Sequence, residues 1–348
     1  LILSYVATSG SLGIPSILNI LCRYLLVLLV YYYDRNKFSK RLFTAITWLA
    51  AISLLFYAAQ MVDRNIIKLI LPSYENSNHI YYGSFIYCMP MGDDNRNCGI
   101  FAEPGLYSIV LAVAIYMILF MDSLIEISEG KKRIALVILI GAMITCQSTT
   151  GYISMVILFG FYLVSRTKNT KYKKWIIVLV MLFLVFDLNR GYEGVIYQNF
   201  LSKLFDSSGQ FDVTVSTGAA RYYSMIADIS VANNYFFGAG FEIYNRVWKS
   251  YLPVNIGDVA SCVGITYSMA TTGYIATIYS LLFYVWMLFR NQPNRIARLA
   301  FIALFVNISL GQPNIRFVIL MSLMLVECDK NRLENALEGV NSENLMVN

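Results

Sequence analysis

Apolar positions in this chain come in long uninterrupted blocks rather than in short amphipathic stripes. The blocks fall near 11–33, 42–61, 104–121, 134–148, 151–165, 175–189, 263–289, 299–311 and 317–327. A helix needs roughly 20 apolar residues to cross the hydrocarbon of a bilayer, so the pattern predicts about nine candidate spans. The shorter blocks pair around polar turns at 147–151 and 312–316. Each pair reads equally as two spans or as one re-entrant hairpin, and both options return the chain to the same side. The first block has no basic stretch before it that would mark a cleavable leader. Residue 1 is Leu, so spans upstream stay open.

Composition sharpens the same picture. The 348 residues are 57% hydrophobic and only 14% charged, with a mean hydropathy of +0.57. A soluble domain usually carries roughly 25% charged residues, so a soluble enzyme, a secreted disulfide scaffold and a disordered chain are all poor fits. The net charge of +6 does not indicate nucleic acid, because the basic residues sit at the ends of apolar blocks. Seventeen of the 27 lie in the short connectors 35–41, 131–133, 166–174, 290–298 and 330–332. Placing all of these inside satisfies the positive-inside rule with one threading. The expectation is an all-α polytopic membrane bundle forming a single integral domain over 1–348. Its C-terminal tail, 328–348, would be cytoplasmic, and two long segments, about 62–103 and 190–262, would face outward. Arg23 lies within the first block, where an ionisable residue is costly.

Some chemistries are unsupported. The single histidine, His79, rules out His-rich zinc sites and makes a surface role the plainer reading. No P-loop or Gly-rich nucleotide fingerprint occurs. Asp93 and Asp94 read as a solvated turn more readily than as a metal site. Cys88 and Cys98 share one outer segment and could pair in an oxidising compartment. The 26 tyrosines suit both interfacial anchoring and stacking on sugar faces.

The first outer segment ends in Arg96, Asn97, Cys98, Gly99, Ile100, Phe101, Ala102, Glu103, Pro104, Gly105 and then enters a span. Glu before Pro suits a helix start, and an arginine beside a helix N-terminus makes an anion site. Ser148, Thr149, Thr150 and Gly151 form a turn. The second outer segment carries Thr217, Gly218, Ala219, Ala220, Arg221, and later Asn233 to Gly240. A helical reading of 219–232 groups Ala220, Tyr223, Ile226, Ala227 and Ser230 on one side and Arg221, Ser224 and Asp228 on another. The second group is either a solvated face or the setting of a phosphate-binding arginine, with Gly238 and Gly240 shaping a tight loop nearby.

The order of these motifs resembles the O-antigen polymerase and ligase superfamily, the Wzy-type polymerases of bacterial surface polysaccharides, over about residues 90–290. That resemblance implies a GT-C-like helical fold in the bacterial inner membrane. It implies substrates carried on undecaprenyl diphosphate, with a chain-length regulator as a further partner. It implies chemistry on the outer face with no cofactor, metal or nucleotide sugar. Arg96 and Arg221 match arginines expected to hold the lipid diphosphate, and Glu103 matches a glutamate that orients the site or accepts a proton. Ligase-type members carry a histidine where this chain reads Gly257, Asp258, Val259, Ala260, Ser261, Cys262. The ligase alternative is therefore weaker, and Glu103 and Asp258 are the candidate bases. A transporter of lipid-linked sugars is the alternative from another class, disfavoured because the charges, Arg23 apart, lie at span ends.

Overall fold

The computed structural model describes residues 14–33, 37–76, 79–90, 95–121, 125, 127–166, 217–252, 261, 263–291 and 294–312. These residues are mostly helical. In chain order the helices are α1 (Ile14–Tyr33), α2 (Phe38–Val62), α3 (Arg64–Ile70), α4 (Pro104–Phe120), α5 (Glu129–Thr145), α6 (Thr149–Arg166), α7 (Thr217–Asn234), α8 (Gly240–Val247), α9 (Gly264–Thr272), α10 (Tyr274–Asn291) and α11 (Arg295–Gly311). Among the described residues, α2 is the one helix long and apolar enough to cross a membrane. Shorter apolar helices occupy Pro104–Phe120, Thr149–Ser165 and Tyr274–Phe289. The expected spans at 175–189 and 317–327 lie outside the described residues.

The chain divides into two compact groups of elements. In the group built around residues 21–158, α4 packs against α2 and α5. Its side chains from Tyr107 to Leu119 are buried on every face, as expected of a uniformly apolar helix at the centre of a bundle. Tyr116 donates to the Ala297 carbonyl at 3.3 Å and meets Phe301 edge-on, which seats the start of α11. α5 begins five residues before the apolar block, because Glu129 and Lys132 pair at 2.8 Å in its first turn.

The segment expected as an outer loop is folded. Asp63 caps α3 by accepting from the Asn65 N–H at 2.8 Å. A three-stranded antiparallel sheet follows, β1 (Ser73–Asn76), β2 (His79–Gly83) and β3 (Cys88–Pro90), in the order β1-β2-β3. Ile80, Tyr81 and Tyr82 supply the strand-forming residues of β2. The sheet sits on α2 through Tyr87, which stacks on Phe56 and donates to the Gln60 Oε1 at 2.8 Å. Met89, Ile67 and Leu71 complete that small core.

The second group is built around residues 159–283. Here α7 packs on α9, and α8 and the 3-10 turn Trp248–Tyr251 close over them. Ala227, Val231, Ala239, Tyr244, Trp248 and Ala270 form its core. The block expected as one span over 263–289 is two helices, divided at Gly273 (φ 90°). The left-handed backbone there cannot continue a helix, so an apolar run that reads as continuous is broken.

Candidate functional site

Arg96 stands half-buried in a loop held from below by its neighbour. Asn97 is fully buried. Its Nδ2 donates to the Ser53 Oγ at 3.1 Å and to the Thr145 Oγ1 at 3.0 Å, and its Oδ1 accepts from the Gly99 N–H at 3.0 Å. Its backbone N–H reaches the Thr145 carbonyl at 3.0 Å. Ser53 donates to the Ala50 carbonyl, so its 2.7 Å contact with Tyr107 is a bond that the phenol donates. One asparagine thereby ties the Arg96 loop to α2 and α5, and Ser53 carries the tie on to α4. Buried polar groups with every partner in place make a rigid node.

Gly99 is glycine for two reasons. Its φ is +56°, and a Cβ would sit 2.8 Å from the Tyr107 ring. Its carbonyl accepts from the Cys88 N–H at 2.6 Å, which joins the loop to β3. Cys88 and Cys98 are both buried free thiols. Burial pushes the Cys88 thiol up, against the opposing effect of its bond with Tyr74.

Glu103 precedes α4 in extended conformation, and Pro104 is the first helical residue, as the sequence predicts. The Glu103 carboxylate is exposed and makes no capping bond. Burial first, and the nearby Glu103 charge second, raise the Tyr81 phenol above its ordinary range. Ser148 opens α6 as a true cap. Its Oγ accepts from the Gly151 N–H at 3.4 Å and from the Ser108 hydroxyl at 3.2 Å. Gly151 is pressed on Ser108 and Met143, so the turn is a packing feature.

In the second group, Arg221 lies half-buried in the first turns of α7. The solvated face proposed for Arg221, Ser224 and Asp228 is corrected at its last two members, which are fully buried. The Asp228 Oδ1 accepts from Tyr244 at 2.6 Å, and its Oδ2 accepts from Ser261 at 2.7 Å and Thr266 at 2.8 Å. Three hydroxyl donors make this position tolerable for a carboxylate. Burial nonetheless raises the Asp228 pKa above the usual carboxylate range, while the hydroxyl bonds oppose the shift. The buried Trp248 indole N–H also favours the carboxylate, but its geometry falls short of a hydrogen bond.

Gly238 (φ 92°) and Gly273 are where two backbones touch. A Cβ on Gly238 would meet the Gly273 nitrogen at 2.5 Å, and one on Gly273 would meet the Phe237 carbonyl carbon at 2.4 Å. The Ala239 N–H donates to the Ala270 carbonyl at 2.8 Å and the Tyr274 N–H to the Phe236 carbonyl at 3.1 Å, one on each side of the crossing. Gly240 (φ 71°) turns the chain into α8. Asp258, Asp93 and Asp94 lie outside the described residues. The structure joins the Arg96 loop to β3 through Gly99 and Cys88, whereas Arg221 stands in the first turns of α7 and Gly238 and Gly240 follow the opposite end of that helix. The sequence assigns no role to Asn97, and it groups Asp228 with Arg221 and Ser224 without revealing its burial. The faint signals are Ser53 inside the apolar block 42–61, Thr145 near the end of the block 134–148, and Ala227 and Val231 placing an apolar stripe beside Asp228.

No protein-family model, curated protein or solved structure matches this chain.

Proposed function

We propose that the chain is a multi-pass membrane glycosyltransferase that polymerises a bacterial surface polysaccharide from lipid-linked repeat units. Two kinds of observation support the membrane part. The exposed positions of α10 are almost all apolar, among them Ile275, Ile278, Tyr279, Leu282, Trp286 and Phe289. Water would penalise so large an apolar face, whereas lipid accepts it. The reading also draws on the distribution of basic residues, under which the short connectors would lie inside and the Arg96 and Arg221 segments outside.

The observation that carries the enzymatic part is the Asn97 node, which holds the Arg96 loop in place before any substrate arrives. A guanidinium carried on a backbone held in this way has less to reorganise when charge grows on a departing diphosphate. In the reaction we assign, the hydroxyl of one lipid-linked repeat attacks the anomeric carbon of the growing chain. The bond from that carbon to the undecaprenyl diphosphate oxygen breaks, and the diphosphate leaves with both electrons. Arg96 and Arg221 hold the diphosphate, and Glu103 or Asp258 takes the hydroxyl proton. Among the described residues nothing pairs with the Arg221 guanidinium, which suits an anion supplied by substrate. The test is chain length in cells lacking the native gene. Arg96→Ala and Arg221→Ala should reach the membrane at normal levels yet leave only single repeats. Wild-type ladders from both variants would refute the diphosphate roles. Bare lipid core would indicate ligase chemistry, and translocation without glycosidic bond formation would indicate a transporter.

A further inference from the structure

A groove of about 840 Å³ opens between the last turn of α1 and the first turns of α2. It is lined by the apolar side chains of Leu29, Val30, Leu42 and Ala45, by the rings of Tyr32, Tyr33 and the buried Phe38, and by Arg41. Tyr31 packs edge-on against Phe38 at 5.6 Å between ring centroids, which fixes the two helix ends relative to each other. The volume lies in the roughly 300–1,000 Å³ range of small-molecule sites. The walls are apolar, while residues 34–41 carry Arg35, Lys37, Lys40 and Arg41 against the single acid Asp34. Aromatic rings and basic residues together at the end of an apolar helix mark the level of lipid headgroups.

We propose that this groove binds one anionic membrane phospholipid. An acyl chain lies along Leu29, Val30 and Leu42, and the phosphate meets Arg41, whose fork suits bidentate contact. The surplus of basic over acidic residues selects an anionic headgroup over a zwitterionic one. This site rests on the membrane reading and is independent of the polymerase reading, because it involves no residue placed at the Arg96 or Arg221 segments.

Native mass spectrometry of the full-length protein, released from its membrane into mild detergent, tests the assignment. After delipidation, phosphatidylglycerol, phosphatidylethanolamine and inorganic phosphate are added back separately. The wild type should retain phosphatidylglycerol about tenfold better than phosphatidylethanolamine, the effect of one or two lysines or arginines at a lipid surface. Lys37→Ala with Arg41→Ala should erase that preference, and Arg41→Lys should keep part of it. Ala45→Trp, an exposed position whose larger side chain fills the groove, should lower retention of both lipids. Equal retention of the two lipids by the wild type would overturn the proposal. So would unchanged retention in the variants, saturation by inorganic phosphate alone, or a second copy of the chain or a peptide occupying the groove. Retention requires no turnover, so its failure is distinguishable from failure of the glycan assay with Arg96→Ala.

Discussion

Replacing Asn97 by alanine removes the side chain that holds the Arg96 loop. Ser53 keeps its bonds to Ala50 and Tyr107, and Thr145 keeps its bond to Ala142. Those two hydroxyls therefore add no stranded group, and the two donated bonds are worth about 1 kcal/mol each. The Gly99 N–H is different: it loses its acceptor in a buried place, at about 1–3 kcal/mol. The total is about 3–5 kcal/mol, on the order of half the stability of an ordinary domain. It falls chiefly on local opening of the loop. Cys98 is fully buried one residue away, so its reactivity reads that opening. In a Cys22→Ser background, which removes a described exposed thiol, maleimide labelling of the Cys98 peptide should accelerate by at least about 100-fold at 3 kcal/mol. Asn97→Asp retains the acceptor for Gly99 and should accelerate it less. A Cys98 that labels at the wild-type rate in Asn97→Ala would refute the idea that Asn97 locks the loop.

Three further outcomes follow from the same structure. Asp228 has a raised pKa when folded, so its contribution to stability is full below about pH 4, the unfolded value. That contribution is lost as pH rises towards the folded pKa. Asp228→Asn should flatten that part of a thermal-unfolding pH series, and an unchanged slope would exclude Asp228 as its source. Gly273→Ala places a methyl against the Phe237 carbonyl in a left-handed backbone. It should cost more than about 2 kcal/mol and reduce monodisperse protein in size-exclusion chromatography, whereas Gly160→Ala, in open space, should not. Leu55 is 72% exposed on α2. If that face meets lipid, Leu55→Lys should cost about 3 kcal/mol of insertion and deplete the carbonate-resistant membrane fraction. A loss no greater than a water-facing substitution, within about 0.5 kcal/mol, would place the face outside lipid.

The apolar blocks made several helices legible, because an uninterrupted run of this kind has few alternatives. α2 and α4 begin and end near the predicted positions, and Glu103 with Pro104 marked the start of α4. The sheet was not legible, since the alternation in β2 is only a few residues long and its partners lie across turns. Gly273 was hidden for a different reason: hydropathy averages over a glycine, while the break depends on a backbone angle. Asn97 was overlooked because its role comes from Ser53 and Thr145, which are 44 and 48 residues away. Asp228 was grouped correctly with Ser224 on one helical face, but the polarity of that face suggested water. Its actual covering is a set of hydroxyls from Tyr244, Ser261 and Thr266, which no local pattern reveals.

The crossing at Gly238 and Gly273 constrains how this chain can diverge. Each glycine leaves room for the other's stretch of backbone and also holds a positive φ, so losing either one opens the contact and removes the packing part of the other's restriction. Relatives that preserve the crossing should carry both glycines, 35 positions apart in this chain, and relatives that have abandoned it are free to lose both. Two letters spaced in that way would serve as a signature for recognising distant kin whose apolar helices have drifted beyond recognition by hydropathy alone.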